Sequence, residues 1–190
     1  MTAYGHSEAL PWDTVSEFIA CMDVYLDADD VTMDQKRQVA TLQVATAFVA
    51  NTGSTYAELS RLQWRDICNA SKYYFKTEKR AAIQLPEHFT RQVERTFGSL
   101  ELRNTSELLM APLFENYANL SVEGFSCLLH EAFEKIGISG RHCLLTCLRQ
   151  TFGKMLYENM NEFDEYLAKK LIGEQLGLAE HSVSDFLSLN

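Results

Sequence analysis

The side chains best suited to chemistry in this chain are cationic. Between Arg61 and Arg80 six bases (Arg61, Arg65, Lys72, Lys76, Lys79 and Arg80) stand against two acids, Asp66 and Glu78. Cations at this density grip anionic oxygen, and a run of phosphates is the ligand whose charge repeat suits them. Tyr73, Tyr74 and Phe75 interrupt the run, and strand alternation puts Tyr74 on the face opposite its neighbours, so at least one of the three belongs to the core. A seventh base, Arg149, lies among apolar neighbours. A buried guanidinium needs a partner, so Arg149 either pairs with a carboxylate such as Glu58 or reaches an anionic ligand. Cys143 and Cys147 sit one helical turn apart beside His142, yet a structural zinc needs a fourth ligand at a recognisable spacing and none stands there. The five cysteines (Cys21, Cys68, Cys127, Cys143, Cys147) are odd in number and scattered, and they read as reduced, buried thiols in a reducing compartment. No metal and no cofactor is implied.

The elements that must carry these groups follow from apolar spacing. Val15, Phe18, Ile19, Met22 and Leu26 recur at helical intervals after Asp13 and stop at the Asp27–Asp30 cluster. Residues 32–51 read as a longer helix ended near Gly53, and 55–62 as a short one. From 64 to 86 the pattern changes to β-prone runs around a polar turn, which predicts strands near 64–68, 71–76 and 81–85. Residues 87–97 read as helix, and the stretch to 119 as irregular, broken by Pro112. Phe125, Leu128, Leu129, Ala132, Phe133 and Ile136 line one face of a helix over 120–136 closed by Gly137. Helices over 144–157, 162–176 and 180–189 complete the chain. The expected class is α+β, mainly helical with a small antiparallel sheet.

The chain has 190 residues, 46% of them hydrophobic, with 3 Pro and 9 Gly, which predicts one folded domain over 1–190 and excludes a disordered or collagen-like chain. No apolar run approaches the roughly 20 residues of a membrane span, and the first residues lack the basic start and apolar middle of a secretion signal. The expected location is the cytoplasm, with no membrane partner. The net charge of -9 opposes a polyanion everywhere except at the basic island, so binding to any polyanion is expected to be modest and sensitive to salt.

Residues 52–67 read Thr-Gly-Ser-Thr-Tyr-Ala-Glu-Leu-Ser-Arg-Leu-Gln-Trp-Arg-Asp-Ile. This resembles, without a gap, the first box of the tyrosine recombinases, T-G-x-R-x-x-E-L-x-x-L-x-W-x-D-I. Leu148-Arg149-Gln150-Thr151-Phe152 resembles their H-x-L-R-H-T-F box, and Leu176-Gly177 the start of their L-G-H box. Lys76-Thr77 stands where the family carries a lysine on a β-hairpin. Pro112-Leu113-Phe114 and the helix ending Lys135-Ile136-Gly137-Ile138 keep the family's order, so the resemblance covers most of 12–189.

The resemblance implies the fold of the recombinase catalytic domain, but also that its chemistry is lost. In the family two arginines and a histidine or lysine set neutralise the scissile phosphate while a tyrosine attacks it. The first arginine's position is here Thr55, the two histidines of the second box are Thr146 and Gln150, the histidine of the third box is Leu178, and the tyrosine position is Leu187. His181 and His142 lie near two of the lost positions but supply neither nucleophile nor first arginine. Glu58 reads as a structural brace. The implied protein is an inactive integrase-like factor that binds DNA or regulates transcription, of mobile-element or phage origin, gripping phosphates with Lys72, Lys76, Lys79, Arg80 and Arg149. The 30 residues before the long second helix are too few for the family's separate N-terminal DNA-clamping domain. The alternative is a protein-interaction module, self-associating or pairing with an active recombinase, that has left DNA behind. In the family the C-terminal segment docks on a neighbouring protomer, so Val183, Phe186, Leu187 and Leu189 either fold back or join copies into an oligomer.

Overall fold

A computed structural model of the chain describes residues 9–68, 74–77, 80–99, 107–117, 120–135, 137, 144–160 and 162–188. Its first helix, α1 (Trp12–Leu26), lies on α2 (Met33–Thr52), the centre of the fold. The start of α2 is fixed by a capping box: Thr32 Oγ1 accepts from the Gln35 N–H at 3.3 Å, and Gln35 Oε1 accepts from the Thr32 N–H at 3.0 Å. From Ala40 to Thr52 the helix is buried almost all round, because it packs against α1 and against α5, α6 and α8, described below. Such a helix needs small side chains rather than one apolar stripe, and Ala45, Ala47 and Ala50 are fully covered. Some of its buried polar side chains reach other elements: Thr41 Oγ1 donates to the Leu109 carbonyl, and Gln43 Nε2 to the Ile19 carbonyl and to Asp23, whereas Gln43 Oε1 and Thr46 Oγ1 have no hydrogen-bond partner among the described residues.

Two short helices follow, α3 (Tyr56–Leu59) and α4 (Trp64–Cys68). The expected strand over 64–68 is thus a helix. Its apolar residues Trp64 and Ile67 are three apart and both 1% exposed, whereas Arg65 and Asp66 face solvent; burial at i and i+3 is a helical pattern that β-prone residue types disguised. The Asp66 carboxylate closes the turn by accepting the Gln63 N–H at 2.8 Å. The other two expected strands form one hairpin, β1 (Tyr74–Thr77) and β2 (Arg80–Gln84), antiparallel with Tyr74 opposite Gln84, Phe75 opposite Ile83 and Thr77 opposite Arg80, and irregular between Phe75 and Thr77.

These findings correct the expected class. The fold is all-α, not α+β with an antiparallel sheet layer: one strand became a helix, and the remaining two amount to four and five residues of a single hairpin. A lone hairpin is marginal in water; this one leans on α9, described below.

Next come α5 (Glu87–Ser99), α6 (Ala111–Asn116) and α7 (Val122–Lys135). Pro112 does not break the stretch before 119. It sits in the first turn of α6, where a missing N–H costs nothing. On α7, Phe125, Leu129, Ala132 and Phe133 are buried and Leu128 half-buried, as the spacing predicts, and the Phe133 ring stacks on Phe18 of α1 at 3.9 Å. Ile136 and Ile138 lie outside the described residues. The Tyr56 hydroxyl donates to the Leu120 carbonyl, and burial pushes its pKa up.

The chain ends in α8 (Leu144–Asn159), α9 (Glu165–Leu176) and α10 (Glu180–Leu187). These three enclose a second apolar cluster of Phe152, Ile172, Leu176, Val183 and Leu187, while α8 also joins the main core through Leu145, Cys147 and Leu148. Val183 and Leu187 are fully buried within their own chain, so α10 folds back. The thiols differ from expectation in one respect: Cys147 is buried and Cys21 half-buried, but Cys127 is exposed on the outer face of α7. Among the described residues no helix is long and apolar enough to cross a membrane.

Candidate functional site

The three sequence boxes, 96 and 27 residues apart, meet at one guanidinium. Arg149, in the middle of α8, donates from Nε to the Gly53 carbonyl at 2.9 Å and from an Nη to the Leu176 carbonyl at 3.0 Å, and its charge centre lies 5.4 Å from the centroid of the Phe186 ring. Both carbonyls belong to helix C-terminal ends, Gly53 capping α2 and Leu176 closing α9. Each end presents the negative pole of its helix, so a fixed cation between them is favourable. The fork of donors, which lysine lacks, lets one side chain hold both.

Glycines bring these ends together. Gly53 has φ +63°, and a Cβ there would lie 2.6 Å from both Leu176 Cδ2 and Phe152 Cδ1. Gly153, in the interior of α8, lets Leu187 approach until a Cβ would lie 2.6 Å from its Cδ2. A glycine inside a helix costs about 1 kcal/mol against alanine, and close packing against α10 offsets it. Ser54 and Thr52 tie the turn between α2 and α3, their hydroxyls 2.7 Å apart with Thr52 Oγ1 donating to the Phe48 carbonyl.

The positions where the resemblance places catalytic groups have other work. Thr55 caps α3 in a second capping box: its Oγ1 accepts from the Glu58 N–H, and Glu58 Oε2 accepts the Thr55 N–H at 2.8 Å. Glu58 is thereby a structural residue of α3. Thr146 is half-buried, one turn before Gln150, whose Nε2 donates to the Phe186 carbonyl at 2.6 Å and ties α8 to α10. Leu178 is half-buried against the second cluster, its N–H on the Gly173 carbonyl at 2.8 Å. Leu187 is fully buried. His181 is exposed; His142 and Cys143 lie outside the described residues, and among the described residues no group of three or more His, Cys, Asp or Glu could hold a metal ion.

Of the DNA-binding candidates, Lys72 and Lys79 lie outside the described residues, while Lys76 is on β1 and Arg80 opens β2. Arg61 and Arg65, in the same basic segment, are exposed. The hairpin rests on α9, and the C-terminal end of α9 is held by Arg149, so one helix touches both the basic strands and the meeting point of the boxes. Sequence reasoning missed Gln150 as a tie to α10 and Phe186 as a cover for Arg149; the signal it passed over was Gly153, a helix-interior glycine that marks close packing. Set against models of known protein families, characterised proteins and solved structures, the chain matches none.

Proposed function

We propose that this chain is a catalytically inactive relative of the tyrosine recombinases that acts in the cytoplasm as a DNA-binding, transcription-regulatory factor of mobile-element or phage origin. The observation that supports the reading is the convergence of all three boxes on Arg149, which joins segments that the sequence separates widely. The loss of catalysis is supported at the same place, where Thr55 is a helix cap and Leu187 a core residue instead of a charge clamp and a nucleophile. The basic strands beside α9 supply the phosphate contacts, with Lys72, Lys76, Lys79 and Arg80 gripping the duplex and Arg149 bracing the helix behind them.

The test is retention of duplex DNA. A fluorescent random-sequence duplex titrated at low salt should be retained, with affinity falling steeply as salt rises. No retention of any duplex at low salt overturns this reading in favour of a protein-interaction module. The net charge of -9 favours that second reading. In it the partner is an active recombinase or another copy, and exchange of α10 between copies would require that helix to leave the cluster of Phe152, Ile172 and Leu176 that it now completes.

A further inference from the structure

Opposite in charge to the basic strands, the turn between α8 and α9 exposes two aromatic side chains. Phe163 is 49% and Tyr166 63% exposed, and among the described residues they are the most exposed aromatics. Hydrogen bonds flank both rings: the Phe163 N–H donates to the Met160 carbonyl at 3.0 Å, and the Asp164 side chain caps α9 by accepting the Leu167 N–H at 3.0 Å. Phe163 precedes the cap, where an apolar residue staples onto the fourth helical position. That position is Ala168, too small to cover a phenyl ring, so half of Phe163 stays in water. Tyr166 has no such role.

Around the two rings the nine residues 158–166 hold four carboxylates, Glu158, Glu162, Asp164 and Glu165, and no basic side chain. All four are exposed. The next cation along the helix, Lys169, is ion-paired with Glu165, and that hydrogen bond holds its pKa up. Aromatic faces and carboxylates together attract a guanidinium or ammonium group, the ring by its quadrupole and the acid by its charge. The same field repels nucleic acid and anionic membrane, and a second copy brings another net -9.

We infer that this corner is a docking surface for a cationic protein partner, one presenting an Arg- or Lys-rich segment with an apolar side chain that covers Phe163 and Tyr166. It does not depend on the DNA reading, because the surface that reading uses is basic.

The test uses the full chain and a labelled twelve-residue peptide of three Arg-Leu-Arg-Gly repeats, followed by fluorescence anisotropy and by amide NMR. Binding should shift the amides of residues 158–168 and weaken as salt rises. Tyr166→Ser, and Phe163→Ser with Tyr166→Ser, leave the net charge unchanged and should weaken binding about tenfold. A peptide of Arg-Gly repeats at the same charge should bind as weakly to the parent protein as the Leu-containing peptide binds to the variants. Equal affinity for parent and Tyr166→Ser, with Tyr166→Ser melting as the parent does, overturns the proposal, as do shifts confined to other surfaces. A molar mass that rises with concentration and is lost in Tyr166→Ser would assign the corner to self-association and overturn it too.

Discussion

Arg149 shows how one side chain can hold distant segments of a fold together. Its hydrogen bonds to Gly53 and Leu176 are charge-assisted and join two helix ends that the chain separates widely. Removing it leaves two carbonyls without that donor in a half-buried setting, and each such deletion costs about 1.5–3 kcal/mol. Arg149→Ala should therefore lower unfolding stability by about 3–5 kcal/mol in urea titration, and Arg149→Lys should recover less than half, because an ammonium cannot span both carbonyls. Full stability of Arg149→Ala, with loss of DNA retention, would make this residue a phosphate ligand instead. Leu187 makes the complementary point. Its methyl groups sit against Gly153 so closely that a Cβ there would lie 2.6 Å away, so Leu187→Tyr overfills the cluster and should destabilise by about 1–3 kcal/mol or more. On the proposed reading it should form no covalent adduct with nicked integrase-type substrates on a denaturing gel, since Thr55 would still supply no charge where the recombinases have their first arginine. An adduct would show that a working clamp survives.

At the scale of elements, α10 either closes its own chain or joins two. Val183 and Leu187 are fully buried against Phe152, Ile172 and Leu176, and Gln150 and Arg149 hold Phe186 by its carbonyl and ring. Phe186→Ala with Leu187→Ala should cost about 2–5 kcal/mol, which in a chain of this length lowers Tm by about 2–4 °C per kcal/mol. The elution volume on size exclusion should stay that of the parent. A shift to smaller size with Tm unchanged would mean that α10 works in trans. The helices are legible in sequence wherever one face is buried and the other is in water, as on α1 and α7, because burial then repeats every 3.6 residues. Residues 64–68 are not: Trp, Ile and Cys are β-prone types, and only the tertiary burial of Trp64 and Ile67 on one side reveals a helical turn. Pro112 misleads because a proline in a first helical turn looks, in sequence, like one that ends a helix. The meeting of the boxes is visible in sequence only as a resemblance; that Arg149 answers to carbonyls is a fact of helix ends, which no residue pattern states.

Over the whole molecule, charge decides what can approach and from which side. The middle of the chain is basic and both flanks are acidic, so under the proposed DNA-binding function a duplex would be drawn to the hairpin region and repelled elsewhere. Lysines on such a hairpin grip phosphates and fix register without reading bases. Every lysine–phosphate pair that a substitution removes should lower the slope of log affinity against log salt by about 0.9. Lys76→Ala with Lys79→Ala should thus weaken retention about equally on all duplex sequences and flatten that slope by about 2, while leaving Tm near the parent value. An unchanged slope would mean that these two lysines touch no phosphate. A weakening confined to one sequence would mean that the hairpin reads bases. Acidic flanks limit how much of the duplex can be covered, so the parent slope itself should correspond to few phosphates: the six bases of residues 61–80 and little more. A parent slope much steeper than those six cations can give would require cations from a second copy on the same duplex, which sedimentation of the complex would reveal as two chains per site.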